Sequence, residues 1–196
     1  RNAKRLRSLI ENILDVTRIV NHSLTLQKEK FNINRIILNI LEECESRDNT
    51  GSGDVKIVFT PKDDFFVEAD KERLMQVISN LMNNAIKFTH KGTITVIIKK
   101  KEEFNEIIVS VKDSGSGIDP EITPRLFSKF ATKSQTGTGL GLFISQSIVE
   151  AHGGRIWAEN NSDGRGSTFS FSLPLKNTPS REYKTDRTPT TRVKHQ

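Results

Sequence analysis

Asn80, Asn84 and Lys87 stand four and three residues apart around the stretch NLMNNAIKF, in a segment whose apolar residues otherwise recur with a helical period. An asparagine in a helix interior costs up to about 0.7 kcal/mol relative to alanine, because its amide competes for backbone hydrogen bonds. At about 100° per residue, Leu74, Val77, Ile78, Leu81, Met82, Ala85 and Ile86 cover one broad arc. The two amides and the ammonium fall together on the opposite arc. Amide oxygens suit a hard cation such as Mg²⁺, and a lysine beside them suits phosphate. A solvated polar face would show the same spacing, so the assignment rests on what accompanies it.

A second group is DSGSGIDPE, beginning at Asp113. On the preceding strand Ile107, Val109, Val111 and Asp113 share one parity, so a carboxylate follows three core-facing aliphatics. A buried carboxylate must be paired or hydrogen-bonded. The exocyclic amine of an adenine would satisfy it while the purine fills an apolar slot, with Gly115 and Gly117 allowing close approach of the backbone. Guanine would present an oxygen there and be rejected. An Asp-Ser-Gly turn with no ligand is the competing reading of the same residues.

A third group is TGTGLGL, Thr136 to Leu142, at the opening of a helix. Gly137, Gly139 and Gly141 let backbone N–H groups point inward, and a helix N-terminus adds partial positive charge, which together make a phosphate cradle. The pattern is neither a Walker loop nor a dinucleotide fingerprint. Just before it, RLFSKFATKS supplies Lys129 and Lys133, with Phe127 and Phe130 as anchors, so a glycine-hinged loop carrying lysines could close over a triphosphate.

The elements that must position these groups are legible around them. Residues 1–20 read as a helix in which Leu9, Ile13, Val16 and Val20 alternate four and three apart, a bundle stripe that requires partner helices. KEKFNINR leads to a second helix with Ile33, Ile36, Ile37, Ile40, Leu41 and Cys44 on one face. Short strands follow around VKIVF and FFVEA. Asp70 is placed as the N-cap of a helix reaching about Thr89. GTITVIIKKK and NEIIVSVKD read as a hairpin, LGLFISQSIVEAH as a helix stopped by Gly-Gly, and RIWAEN and STFSFSLPL as closing strands. With the strands pairing locally, an α+β, two-layer α/β sandwich is expected.

Composition narrows the function classes. A single Cys44 excludes a disulfide framework, and no apolar run approaches a membrane span. The last 21 residues hold six Lys/Arg and two Asp/Glu, which is +4 of the net +6. The preceding body is therefore not basic, and no nucleic-acid partner is expected.

Together the asparagine, Asp-x-Gly-x-Gly, phenylalanine and GTGLGL motifs resemble, in order and spacing, those of the GHKL superfamily. More narrowly, residues 1–175 resemble the ATP-binding catalytic domain of two-component sensor histidine kinases. The resemblance implies the GHKL sandwich, with ATP and Mg²⁺ as cofactors. It implies Asn80 and Asn84 as metal ligands, Lys87 as a phosphate contact, and Asp113 as the adenine-reading carboxylate beside Gly115, Gly117 and Ile118. It also implies Lys133 as a lid residue reaching the γ-phosphate, and Gly137, Thr138, Gly139, Leu140, Gly141 and Leu142 as the phosphate loop. Asn80, Lys87 and Lys133 are the catalytic set. Residues 1–21 resemble the second helix of a dimerisation and phosphotransfer hairpin, 22–30 a linker, 31–175 the catalytic domain and 176–196 a disordered basic tail. A homodimer through the hairpin helices, a response-regulator receiver domain as partner and a cytoplasmic location follow, with any membrane anchor expected in preceding regions.

Two departures stand out. Thr136 occupies a position where the family often has glycine. The phosphoacceptor is expected on a first hairpin helix outside this sequence, because His22, His90, His152 and His195 do not match it. Two alternatives follow from the same residues. One is a non-catalytic nucleotide-binding and dimerisation module. The other is a hydrolysing GHKL ATPase, whose water-activating glutamate would stand where this chain has Asn80.

Overall fold

The computed structural model describes residues 2–48, 54–61, 63–132 and 137–175. Helix α1 (Asn2–Val20) is followed by strand β1 (Lys28–Asn32), helix α2 (Ile33–Asp48), and strands β2 (Val55–Phe59) and β3 (Phe66–Asp70). Helix α3 (Lys71–Phe88) leads into the hairpin β4 (Gly92–Lys101) and β5 (Glu106–Asp113), then helix α4 (Gly141–Ala151) and strands β6 (Ile156–Asn160) and β7 (Ser167–Pro174). One five-stranded sheet has the order β2-β4-β5-β7-β6, and β1 pairs with β3 in a separate two-stranded sheet. The β2–β4 pair is parallel and the other pairs are antiparallel, so the large sheet is mixed.

Alternation along the strands builds the core. Ile94 and Val96 of β4, Ile107, Val109 and Val111 of β5, and Phe171 and Leu173 of β7 are all buried. They meet Ile33, Ile36, Ile37 and Ile40 of α2, Leu74, Val77, Ile78, Leu81 and Met82 of α3, and Ile144, Ile148 and Val149 of α4 in one apolar cluster. Each such side chain contributes about 1.5–3 kcal/mol by leaving water. This is the expected sandwich, with a mixed sheet on one side and helices on the other.

Helix α3 begins and ends where its residue types dictate. The Asp70 side chain accepts a hydrogen bond from Arg73 N–H at 3.1 Å, Glu72 lies in the first turn, and Lys87 lies in the last. The same corner is fixed by His152, just past α4. Its Nε2 accepts from Asp70 N–H at 2.9 Å, so Nδ1 carries the proton and donates to the Ile148 carbonyl at 2.8 Å. Burial lowers the His152 pKa below its ordinary value, which favours this neutral form.

The structure departs from the sequence reading in two places. β2 and β3 do not pair locally: β2 joins β4 in parallel, which requires a crossover, and β3 with α3 supplies it. Residues 28–30, assigned to a linker, are the start of β1, whose first three residues are exposed. Charges on a solvent-facing edge strand are ordinary, but they hide the strand from a hydrophobic pattern. The tail assigned to 176–196 lies outside the described residues.

α1 rests against the body through Val16 and Ile19, which pack on the core, and through a polar contact. Asp15 is buried, accepting from Arg73 Nη1 at 2.8 Å and from Gln76 Nε2 at 2.7 Å, while Arg73 Nη1 also donates to Gln76 Oε1 at 2.9 Å. The stripe seen in sequence divides, with Leu9 and Val16 half-buried and Ile13 and Val20 exposed. Leu6, Ile10 and Leu14 are exposed beside them.

Candidate functional site

A cavity of about 750 Å³ opens between α3, the segment after β5 and the start of α4. That volume suits a small organic ligand. Asn80, Asn84 and Lys87 line it from α3, and Asp113, Gly117 and Ile118 from the end of β5 and beyond. Gly137, Thr138, Gly139, Gly141 and Leu142 line it from the approach to α4. Residues separated by more than fifty positions in sequence thus face one space, as their chemistry requires.

At one end Asp113 is 3% exposed and its carboxylate is held from three directions. Oδ1 accepts from Gly115 N–H at 2.8 Å and Ser167 N–H at 3.3 Å, and Oδ2 accepts from Ser167 Oγ–H at 2.6 Å. A carboxylate offers about four acceptor positions, so one is left for a donor in the cavity. Ile118, Ile122 and Phe169 surround it with apolar surface. A flat ring presenting an amine to Asp113 matches this combination.

The opposite end carries amides and backbone N–H groups, while Lys87 lines the cavity from the last turn of α3, its Nζ 5.2 Å from the centre of the Phe88 ring. The Asn84 side chain has no hydrogen-bond partner among the described residues, and the residue is half-buried. Asn80 donates through Nδ2 to Ser145 Oγ at 3.0 Å, which leaves Oδ1 free of that bond. A Cβ at Gly141 would come within 2.3 Å of Asn80 Oδ1, so the N-terminus of α4 rests directly on that amide. The first N–H groups of α4 have no intrahelical partner, and they favour negative charge. Gly139 adopts φ +68, and a Cβ there would lie 2.5 Å from the Phe130 carbonyl carbon. Only glycine fits between that backbone and the cavity.

Some predicted residues sit elsewhere. Leu140 caps α4 and is 4% exposed in the core, because an apolar side chain at this position gains more from the core than from a polar mouth. Gly115 does not line the cavity; it acts through its N–H on Asp113. Of the two phenylalanines expected as anchors, Phe127 is half-buried but the Phe130 ring is 70% exposed. Lys129 turns from the cavity, its Nζ lying 5.1 Å from the centre of the Phe143 ring. Lys133 and Thr136 lie outside the described residues.

Other residues at the site escaped the sequence reading. Ser167 is the main partner of Asp113, and the ladder gives the signal: Lys112 pairs with Thr168, so Ser167 falls opposite Asp113 on the next rung. The β5–β7 pairing is non-local, and the alternation pattern alone does not disclose it. Glu11 and Asn12 of α1, with Gln76, line the mouth of the cavity. None of the described histidines lines it.

Known proteins resemble this chain in sequence and in fold. The protein family described as histidine kinase-, DNA gyrase B-, and HSP90-like ATPase matches residues 69–177. The sensor protein KdpD of Clostridium acetobutylicum is 36% identical over 173 residues, covering 85% of this chain and 19% of the relative. The sensor protein kinase WalK of Staphylococcus aureus is 32% identical over 182 residues, covering 88% of this chain and 42% of the relative. The chain therefore spans less than half the length of these curated relatives. Full-length ShkA, solved in complex with AMPPNP, is similar with a TM-score of 0.73 at 27% identity, over 86% of this chain and 35% of that one. Histidine kinase ThkA, solved in complex with the response regulator protein TrrA, gives 0.66 at 32% identity, over 86% of this chain and 48% of that one.

Proposed function

The chain belongs to the family of histidine kinase-, DNA gyrase B- and HSP90-like ATPases, and we propose that it serves as the ATP-binding core of a sensor histidine protein kinase. It is homologous to sensor kinases and shares the fold of histidine kinase catalytic domains. The reading is carried by one observation: a buried carboxylate with an open acceptor position and an array of amides and helix N–H groups occupy opposite ends of one cavity. An adenine fits the first end and a triphosphate the second.

In this reading Asp113 accepts the exocyclic amine of the base, and Ser167 and Gly115 hold its oxygens in place. Asn84 and Asn80 present hard oxygen donors, which fit a Mg²⁺ ion. Such an ion, when bound, supplies charge neutralisation to the phosphate oxygens. Lys87 adds a mobile positive charge, and the α4 N-terminus and Gly137–Gly141 amides hold the phosphates in line. A neutral imidazole nitrogen then attacks the γ-phosphorus. The P–N bond forms as the bond to the β-phosphate oxygen breaks, ADP leaves with the electron pair, and the imidazole releases its proton.

In this reading the acceptor is a histidine on the first helix of the dimerisation hairpin, and none of the described histidines lines the cavity. A response-regulator aspartate receives the phosphoryl group next, in keeping with the ThkA–TrrA complex. The exposed apolar side chains of α1 suit a homodimeric bundle. Among the described residues no helix is long and apolar enough to cross a membrane. In this reading the kinase core works in the cytoplasm, with any anchor in other regions. Hydrolysis is the weaker reading, because Asn80 is an amide bonded to Ser145 and cannot take a proton from water.

The test combines binding and transfer. The chain should bind Mg-ATP and ADP and prefer adenine over guanine nucleotides in calorimetric titration. Given γ-labelled ATP and a hairpin protein bearing an acceptor histidine, it should produce acid-labile label on that protein. Binding without any transfer would favour the non-catalytic module, and no adenine preference would remove Asp113 from its role.

A further inference from the structure

Two adjacent asparagines where β6 ends hold both ends of the segment that carries Asp113, although neither lines the cavity. Asn161 is 9% exposed and uses its whole amide. Its Nδ2 donates to the Asp113 carbonyl at 2.7 Å and to the Arg165 carbonyl at 2.7 Å, and its Oδ1 accepts from Thr168 Oγ at 2.7 Å. Asn160 grips the far end. Its Oδ1 accepts from Ile118 N–H at 2.6 Å and its Nδ2 donates to the Ile118 carbonyl at 2.9 Å. One side-chain amide thereby does for Ile118 what a neighbouring strand does in a ladder, satisfying the donor and the acceptor of a single residue.

The clearances show how little play the segment has. A Cβ at Gly166 would lie 2.1 Å from the Asp113 carbonyl oxygen, and one at Gly117 would lie 2.9 Å from Asn160 Oδ1. The turn between β6 and β7 is thus pressed against the Asp113–Ile118 segment at both ends and bonded to it at both ends. Asp113 and Ile118 are also the carboxylate and the apolar wall that face the cavity. The two asparagines thus hold both ends of this segment, whose middle is bonded to Thr93 and Phe88 through Ser114 and Ser116.

We propose that Asn160 and Asn161 are positioning residues for base recognition, which fix the Asp113 carboxylate relative to the Ile118 wall and so set the preference for adenine over guanine. The proposal rests on the reading of Asp113 as the base-selective group. Discrimination depends on one hydrogen bond being made in good geometry, and a displacement of about 1 Å is enough to lose most of it. Asn160 is exposed, so its removal should leave the fold intact. Asn161 is buried and serves the fold as well.

The decisive experiment titrates wild type, Asn160→Ala and Asn160→Asp with Mg-ATP, ADP, Mg-GTP and Mg-tripolyphosphate. Asn160→Ala should bind ATP and ADP about tenfold more weakly, with a reduced ATP-to-GTP ratio. Its tripolyphosphate affinity should be unchanged and its unliganded Tm should move by no more than about 4 °C. Asn160→Asp keeps the acceptor for Ile118 N–H and should fall between wild type and alanine. Asn161→Ala, where it folds, should show the same loss of preference; where it does not, the Asn160 pair decides. Unchanged ATP affinity and preference in Asn160→Ala would overturn the proposal. An equal loss for ATP and tripolyphosphate would also overturn it, since that reports general loosening. Failure of the underlying reading looks different: wild type itself would show no adenine preference, or Asp113→Asn would retain full affinity.

Discussion

Asp113, at one end of the cavity, has three acceptor positions filled by Gly115 and Ser167, while the Asn84 side chain, at the other end, has no hydrogen-bond partner among the described residues. The Asp113 end is a closed frame in which β5, β7 and the tandem asparagines leave one acceptor position of the carboxylate open. The Asn84 end is a half-exposed array of amides and helix N–H groups. In the proposed reading the difference follows from what each end recognises. Discriminating two purines depends on one hydrogen bond in the right place, so its partner must be immobilised beforehand. Holding a polyanion depends on summed charge, which tolerates adjustment and gains from groups that exchange water for phosphate oxygen.

Substitutions can break this contrast at either end. The largest effect is expected from Gly166→Ala, which combines φ +74 with a Cβ 2.1 Å from the Asp113 carbonyl oxygen. It should lower stability by about 2–4 kcal/mol, seen in chemical denaturation, and abolish adenine binding. Asp113→Asn comes next: replacing a charge-assisted acceptor should weaken ATP about 100-fold and erase the preference over GTP, while tripolyphosphate binding persists. Gly141→Ala acts at the other end, where a Cβ would come within 2.3 Å of Asn80 Oδ1. Calorimetry should show about tenfold weaker Mg-ATP and tripolyphosphate with the ATP-to-GTP ratio intact.

The smallest effect is on the frame that both ends share. His152 is neutral in the fold, with its pKa lowered by burial, and it must stay so to accept from Asp70 N–H. The unfolded chain binds a proton at this residue once pH falls below about 6.5, and the folded chain does so only at lower pH. Its contribution to stability is therefore complete above that value and declines as pH falls below it, by at most about 1.4 kcal/mol per unit. Denaturation from pH 7.5 to 5.5 should show that slope, and His152→Gln should remove it. The nucleotide preference should stay constant across the same range.

Much of this arrangement is legible in the residues themselves. The apolar arc of α3 and the parity that ends in Asp113 are local, so periodicity alone puts Asn80, Asn84, Lys87 and Asp113 where the fold places them. Ser167, Asn160 and Asn161 are not legible in that way. They reach Asp113 and Ile118 across the β5–β7 pairing, between residues more than forty positions apart, and a serine or asparagine in a turn carries no pattern of its own. β1 was hidden for a related reason, since an edge strand with charged residues outward lacks alternation. The position of Leu140 also illustrates the limit: a glycine-rich motif locates the cavity-facing backbone, but burial decides which side chains of that motif turn inward.

Between the end of α1 at Val20 and the start of β1 at Lys28 lie seven residues. Fully stretched, they reach about 25 Å, so α1 is leashed to the corner of the body where Asp70, Gln27 and Arg73 are bonded together. On so short a tether the helix meets its seat at an effective concentration in the millimolar range. The Asp15 contact with Arg73 and Gln76 therefore forms within one molecule, and it re-forms there whenever it opens.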